Sequence, residues 1–271
     1  MWVGVAALAE AVARLACSAP SRRDALTVGW LGRESGRHGS SHVFGRGRIR
    51  QAGHVSDVEQ PAEVVRSGYD AASYLYRSDD ECPPEYAAWI DALLGRLPAA
   101  SRVLDLGCGC GIPVARMISG AGAQLTGVDL SDTQIQRARG LVPAATFISA
   151  DMTTVDLPAG SFDAVVCLYS IIHVPLERQL GLVERIGSWL APGGTLLLSG
   201  GWQAWTGTEE CWLGGSAPMW WSHADVDTYR AWITGVGLRV ESVDFVPEGA
   251  PATVCSGPSS PATTRGALVS P

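Results

Sequence analysis

From residue 61 onward, short apolar runs alternate with stretches of helical length. Two stretches with apolar residues at helical spacing come first, AEVVRSGYDAASYLYRS and PPEYAAWIDALLGRL. Strand-like and helix-like runs then alternate, and the strand-like ones include RVLDLG, QLTGVDLS, TFISAD, FDAVVCLYS and GTLLLSGG. Apolar strands separated by helices are typical of a mainly parallel sheet covered on both faces. The pattern predicts an α/β fold with a doubly wound sheet, whose ligands bind at the carboxyl ends of the strands.

The two ends of the chain lack this pattern. Residues 1–60 include RESGRHGSSHVFGRGRIRQAGH, which is rich in Gly, Ser and Arg and has little apolar periodicity. We therefore expect residues 1–60 to be a disordered or weakly structured extension. Residues 249–271 are rich in Pro, Ala, Ser and Thr, and we expect a disordered tail there. One predicted domain remains, residues 61–248.

Composition narrows the function classes. The net charge of −7 and the absence of a bilayer-length apolar run argue against nucleic-acid and membrane partners. All basic residues are Arg, which excludes Lys nucleophiles and Schiff bases. The seven cysteines are scattered, and only Cys108 and Cys110 lie close together without a second ligand pair. We expect a cytoplasmic protein that acts on a small molecule without a metal, and the oligomeric state stays open.

The stretch VLDLGCGCG, residues 103–111, ends the first predicted strand and begins a helix. Its glycines allow a tight turn, and we expect them to let backbone amides approach a ligand. The spacing is G-x-G-x-G rather than the G-x-G-x-x-G of dinucleotide sites, and Asp105 stands two residues before the first glycine. A carboxylate repels phosphate and suits an ammonium or sulfonium group. The loop therefore favours a cationic nucleoside over the nicotinamide dinucleotide of an oxidoreductase.

Two further acids end the next two predicted strands. Asp129 in LTGVDLS can accept hydrogen bonds from both hydroxyls of a ribose. Asp151 in FISADM can accept from the exocyclic amine of an adenine, while Met152 packs on the ring. No basic residue stands in these loops. A single Asp at such a position is often a helix cap, but three at successive strand ends indicate a nucleoside site.

In this order the motifs resemble those of the class I S-adenosylmethionine-dependent methyltransferases, over roughly residues 64–248. VLDLGCGCG is similar to the first motif of that family, GVDLS to its ribose-binding acid and SADM to its adenine loop. FDAVVCLYSIIHVP is similar to the fourth strand, and LAPGGTLLLS to the turn and fifth strand. The resemblance implies a Rossmann-like sheet, with S-adenosylmethionine as the cofactor.

The resemblance also implies a cofactor role for individual residues. The implied residues are Asp105, Gly107, Cys108, Gly109 and Gly111 around the methionine part, Asp129 and Leu130 at the ribose, Asp151 and Met152 at the adenine, Tyr69 and Tyr76 over the methionine end, and Tyr169 near the transferred methyl. Tyr69 and Tyr76 belong to SGYDAASYLY, which is similar to the N-terminal Tyr-Asp helix of the family. Ordinary helix packing is the other interpretation of these two tyrosines.

The C-terminal end departs from the family pattern. After LRVESVDFV the family has a seventh, antiparallel strand inserted beside the sixth. Here the chain continues as PEGAPATVCSGPSSPATTRGALVSP, which has no alternating apolar run. We expect the seventh strand to be absent or vestigial, which would leave an exposed sheet edge and lower stability.

The acceptor site is predicted in a tryptophan-rich insert, residues 202–222. Aromatic residues without periodicity in a Gly-rich segment indicate a lid over an apolar substrate, although they would also suit a plug for the open end of the sheet. The predicted pocket residues are Trp202, Met219, Trp220 and Trp221. The sequence lacks the Asn/Asp-Pro-Pro-aromatic and Pro-Cys motifs of enzymes that methylate bases. We therefore expect a small, partly apolar acceptor that is methylated by in-line displacement.

Three polar residues are candidates for catalysis. WSHAD resembles a stretch of small-molecule members of the family, which makes His223 and Asp225 the polar groups expected to face the acceptor. His223 can act as a general base near neutral pH, and His173 in IIHVP is the competing candidate. The alternative function, from another class, is a catalytically idle nucleoside-binding protein that serves an interaction.

Overall fold

The computed structural model describes residues 23–32, 49–51 and 61–247. The strands are β1 (Arg23–Gly32), β2 (Ile49–Gln51), β3 (Arg102–Leu106), β4 (Gln124–Asp129), β5 (Thr146–Ser149), β6 (Phe162–Cys167), β7 (Leu190–Gly201), β8 (Trp205–Glu209), β9 (Met219–His223), β10 (Leu238–Val240) and β11 (Phe245–Pro247). The helices are α1 (Pro61–Tyr76), α2 (Pro84–Leu94), α3 (Val114–Gly120), α4 (Asp132–Leu141), α5 (Leu176–Trp189) and α6 (Val226–Gly235), with short 3-10 helices at Ile171–His173 and Trp212–Gly214.

The main sheet is doubly wound, as the alternating pattern predicts. Its strand order is β10-β1-β7-β6-β3-β4-β5, β11 pairs with β1, and all these pairs are parallel. The winding reverses between β3 and β6, because β4 and β5 lie on one side of that pair and β7 on the other. A crevice therefore opens at the carboxyl ends of β3 and β6, where sheets of this kind bind ligands.

Side chains alternate across β3 and divide the core into two layers. Val103 packs with Ile90 of α2, whereas Leu104 packs with Leu182 of α5, and each is at most 1% exposed. Each such aliphatic side chain contributes roughly 1.5–3 kcal/mol through burial. Asp105 shares the face of Val103 because successive strand residues point to opposite faces. The register of β3 thus directs a carboxyl group toward the layer that holds α2.

The N-terminal strand corrects part of the expectation for residues 1–60. β1 pairs in parallel with β7, where Asp24 lies opposite Thr195, and with β10, where Arg23 lies opposite Leu238. The expectation was a disordered or weakly structured extension, whereas residues 23–32 and 49–51 form strands. The composition did not indicate β1, because the backbone of β1 pairs with residues far along the chain, in β7 and β10. The other residues of 1–60, and the tail 249–271, lie outside the described residues.

The vestigial seventh strand is confirmed within the described residues, but the exposed edge is not. After β10, residues 241–247 contain only the three-residue β11, which runs parallel to β1. β1 lies between β7 and β10, so the edge of β7 that the missing strand would have left open is paired. The backbone groups of β7 obtain from the N-terminal segment the partners that they would otherwise lack.

The tryptophan-rich insert forms a second, smaller sheet. β8 and β9 make an antiparallel pair in which Trp205 lies opposite His223, and β2 adds to β8. This sheet packs against α1 through a cluster that includes Val65, Trp212 and Met219. Within residues 61–247, no helix combines the length and the apolar character that a membrane span requires.

Candidate active site

A cavity of about 720 Å³, measured with its open mouth, lies at the carboxyl ends of the strands beneath α1. The predicted site residues that line it are Tyr69, Tyr76, Gly107, Gly109, Asp129, Leu130, Asp151, Met152, Tyr169 and His173. A smaller cavity of about 380 Å³ adjoins it across the Gly107–Gly109 turn, and Asp105 and Cys108 line that one. The structure thus brings together residues that are up to 104 positions apart in the chain.

The three glycines of the loop differ in the space around them. Gly107 has a φ of +74°, and a Cβ there would overlap the side chain of Ser170. Gly109 has no neighbour within 4 Å of its Cβ position, so it leaves open space for a ligand. Gly111 lines neither cavity. A Cβ there would lie 3.3–3.4 Å from Val142, Ala115 and Phe147, so this glycine serves close packing.

The amides of this loop do not face a ligand, contrary to the expectation from the sequence. Gly107 and Cys108 donate to the carbonyl of Val128 at 2.7 and 3.1 Å, and Gly109 donates to Asp129 Oδ2 at 2.8 Å. Gly111 donates to the carbonyl of Cys108 at 3.0 Å. A phosphate cradle needs such N–H groups to be free. The reason for the difference is that the loop closes on β4 and its carboxylate, which leaves shape and acidic groups to select the ligand.

Asp129 presents a fixed carboxylate to the larger cavity. Its Oδ2 accepts from Gly109 N, and its Oδ1 accepts from Ser131 N at 2.9 Å. Burial raises the pKa of Asp129 to about 6, against the lowering effect of these hydrogen bonds. Each oxygen retains a lone pair. The carboxylate can therefore accept from two adjacent hydroxyls, as a ribose requires.

Asp151 is anchored in a turn and lies beside a cation that the sequence did not reveal. Its Oδ1 accepts from the N–H and the hydroxyl of Thr153, at 2.8 and 2.7 Å. Arg178 of α5 lies 3.4 Å from its Oδ2, and Arg66 of α1 also lines the cavity. Arg66 pairs with Asp70 at 2.9 Å and with Glu63. Both cations come from helices rather than from the strand-end loops, and each is compensated by an acid.

A buried carboxyl group and a buried guanidinium group line the smaller cavity. Burial, and secondarily the charge of Asp129, raise the pKa of Asp105 to about 8, and its Oδ2 has no hydrogen-bond partner among the described residues. Arg77 stacks on Tyr76 and Tyr86 and donates to Glu81, while its Nε has no such partner there. A buried carboxyl group and a buried guanidinium group that both have incomplete hydrogen bonding suit a ligand group that carries an ammonium and a carboxylate.

His173 is joined to Tyr69 inside the larger cavity. Its Nδ1 lies 2.8 Å from the carbonyl oxygen of Trp220, which can only accept, so Nδ1 carries the proton. Its Nε2 is then the acceptor for the Tyr69 hydroxyl, 3.0 Å away. Burial lowers the pKa of His173 to about 4, so the imidazole is neutral near pH 7. Trp221 lies over the ring, with centroids 4.4 Å apart.

The other two catalytic candidates lie elsewhere. Asp225 is the N-cap of α6, where its Oδ1 accepts from Thr228 N at 2.8 Å, and this cap lowers its pKa. The ring of His223 packs against Gly201 and faces Trp205 with centroids 6.1 Å apart. Neither residue lines either cavity. The geometry brings His173 to the site and gives no support to a catalytic role for His223 or Asp225.

The predicted acceptor-pocket residues also lie outside both cavities. Met219 is fully buried, and its Cε lies 2.7 Å from the position of a Cβ on Gly68. Trp220 and Trp221 are partly buried in the same cluster against α1, and Trp202 packs on Phe245 with centroids 5.0 Å apart. This packing corresponds to the plug interpretation. The insert contacts residues that line the cavity, since Trp220 and Trp221 contact His173 and Trp212 packs on Tyr69 and Tyr76.

Comparisons with known proteins point to one class of enzyme. The family model described as a methyltransferase domain matches residues 103–194. The chain is similar to 27-O-demethylrifamycin SV methyltransferase of Amycolatopsis mediterranei, with 32% identity over 212 residues that cover 69% of this chain and 77% of that protein. It is also similar to ubiquinone biosynthesis O-methyltransferase of Xanthomonas campestris pv. campestris, with 40% identity over 109 residues that cover 38% of this chain and 44% of that protein.

Among solved structures, the fold is similar to a methyltransferase in complex with a methyltransferase activator from Haloferax volcanii. The TM-score is 0.50 at 20% identity, and the match covers 66% of this chain and 78% of that chain. At that identity the likeness bears on the fold alone.

Proposed function

This chain belongs to the class I S-adenosylmethionine-dependent methyltransferases, and on that premise we propose that it methylates a small, partly apolar acceptor. Membership makes the protein an enzyme that uses S-adenosylmethionine, so the alternative of a catalytically idle binder is set aside. The observation that carries the proposal is the cavity at the strand ends, which combines carboxylates for a nucleoside with a wall of tyrosines at one end.

The residues present fit the cofactor. Asp151 and Met152 would frame the adenine, and Asp129 with Leu130 would hold the ribose. At the smaller cavity the incomplete hydrogen bonding of Asp105 and Arg77 supports an α-amino acid end there. The ammonium group would face Asp105, and the carboxylate group would face the Arg77 guanidinium. Arg77 therefore joins the residues that we propose bind the cofactor.

The tyrosines would align the reacting groups and exclude water. When bound, S-adenosylmethionine would supply a methyl group for in-line transfer, with its sulfonium sulfur as the leaving group that departs as a neutral thioether. Tyr169 has a φ of +53°, and its N–H donates to Ser199 Oγ at 2.6 Å. Its ring packs with Tyr86 and Trp89 at centroid distances of 5.6 and 6.2 Å. This strained, well-supported position suits a residue that orients the transfer.

The Tyr69–His173 pair gives a hydroxyl acceptor a route for its proton. The acceptor O–H would donate to Tyr69 Oη, while the Tyr69 proton passes to His173 Nε2, which lies 3.0 Å from Oη. A free imidazole in this buried place is a weak base, since its pKa is about 4. The proton would reach His173 as the positive charge of the sulfonium is lost, so the net charge of the cavity does not rise. The desolvation cost of a charged imidazole is therefore offset. The name of one relative, a ubiquinone biosynthesis O-methyltransferase, supports a hydroxyl acceptor.

A product screen tests the proposed function. The purified chain is incubated with S-adenosylmethionine and a panel of phenols, quinols and hydroxylated macrocycles, and mass spectrometry detects products that gain one methyl group. We expect methylated products with the wild type and none with Asp129→Ala. A cofactor that binds but remains intact with every member of the panel would contradict a small hydroxylated acceptor.

A further inference from the structure

We infer that Asp70 is a positioning residue that couples α1, the helix over the cofactor, to the carboxylate that binds the ribose. The inference rests on the proposed ribose role of Asp129. Asp70 follows Tyr69 directly and lies within SGYDAASYLY. Its Oδ1 accepts from the hydroxyl of Ser131 at 2.6 Å and from Thr133 N at 3.3 Å. Its Oδ2 accepts from Arg66 at 2.9 Å.

Ser131 connects Asp70 to Asp129 through hydrogen bonds. Its N–H donates to Asp129 Oδ1 at 2.9 Å, and its Oγ accepts from Gln134 N at 3.1 Å as the N-cap of α4. The hydroxyl proton goes to Asp70. Ser131 is 1% exposed, so water does not replace any of these partners. A change at Asp70 therefore reaches the backbone group that orients the ribose carboxylate.

The same turn of α1 lines the cofactor cavity from above. Val65, Arg66 and Tyr69 all line the larger cavity. The hydrogen bonds of Asp70 therefore fix the distance between α1 and the proposed ribose position. Each hydrogen bond to the Asp70 carboxylate is charge-assisted and stronger than a neutral one. α1 and the segment that holds Asp129 and Ser131 are thus fixed in one arrangement before a ligand binds. This lowers the entropic cost of binding.

A separate tie keeps α1 docked when Asp70 is changed. Arg137 of α4 donates to the carbonyl of Ser73 at 2.8 Å and to the carbonyl of Arg77 at 2.9 Å, and it pairs with Asp79. Met219 packs beneath Gly68 at the middle of the helix. Loss of Asp70 should therefore appear in cofactor affinity more than in stability.

The test measures S-adenosylmethionine binding by calorimetry, with thermal unfolding alongside. Asp70→Ala should weaken binding about five- to tenfold, and Asp70→Asn about twofold because its Oδ1 can still accept from Ser131. Glu63→Ala is the matched control, since Glu63 is another α1 acid that pairs with Arg66 but does not touch Ser131. We expect its affinity to stay near that of the wild type.

The route through Asp129 is tested with a double variant. If Asp70 acts through the ribose carboxylate, Asp70→Ala should add little to the loss already caused by Asp129→Asn. Full additivity, or an Asp70→Ala affinity equal to that of Glu63→Ala, would overturn the inference and leave the cofactor site standing. Wild-type affinity in Asp129→Asn would overturn the ribose assignment together with the inference.

Discussion

The strand ends and the tryptophan-rich insert both carry residues predicted to bind small molecules, yet only those at the strand ends line the cavities. Asp105, Asp129 and Asp151 line the two cavities, as their positions at the ends of successive strands predict. Trp202 and Met219 of the insert are packed into the protein instead. Parallel strands bring their carboxyl ends to one edge whatever follows them, whereas an insert takes its place from long-range packing.

The largest effect that would separate the two regions concerns the stability role of the insert. Met219→Ala removes a fully buried side chain between α1 and Trp212, and we expect it to lower the free energy of unfolding by about 2–5 kcal/mol. Leu75→Ala on α1 is the control, because the side chain of Leu75 is 66% exposed and its loss should leave stability unchanged. Chemical denaturation measures both. An unchanged stability with altered methyl transfer would return Met219 to the acceptor site.

The next effect concerns the loops and depends on pH. The pKa of Asp105 is about 8 in the free protein, and a bound ammonium group would favour the charged carboxylate and lower it. Binding then releases a proton, so affinity should rise roughly tenfold between pH 6 and pH 7 and level off above pH 8. Calorimetric titrations of S-adenosylmethionine at several pH values measure this slope. Asp105→Asn should flatten it, and an equal slope in that variant would exclude Asp105 from the methionine end.

The smallest effect concerns the second catalytic candidate of the insert region. Asp225→Ala removes the N-cap of α6 and should cost about 1 kcal/mol of stability, with cofactor affinity unchanged. Asp227→Ala is the matched control, since its side chain is 88% exposed. Thermal unfolding and cofactor titration report the two quantities. A loss of turnover without a loss of stability would restore Asp225 as a group that faces the acceptor.

Residues tied to regular elements could be predicted from the sequence. Asp129 ends β4 and Asp151 follows β5, so the alternating pattern was sufficient to place both at one edge of the sheet. The chemistry of these side chains indicated the ribose and adenine roles, and the resemblance to a family supported the same assignment. The place of Tyr69 and Tyr76 at the cavity was implied only by the resemblance, and both residues line it.

Residues whose role depends on packing between distant elements could not be predicted in this way. Arg178 reaches Asp151 from α5, and Asp70 reaches Ser131 across 61 positions. The amide of Gly109 turns to Asp129 rather than to a ligand because the loop folds back on β4. β1 lies just before the Gly-, Ser- and Arg-rich stretch, and its partner β7 lies far along the chain. In each case the decisive contact lies outside the local pattern.

The most direct test of the account compares cofactor binding in one variant from each region. S-adenosylmethionine is titrated calorimetrically into Asp129→Ala and into Trp202→Leu. We expect Asp129→Ala to lose about 100-fold or more in affinity, because the ribose hydroxyls lose both charge-assisted hydrogen bonds. Trp202→Leu should bind as the wild type does. Wild-type affinity in Asp129→Ala, with a loss in Trp202→Leu, would contradict the account.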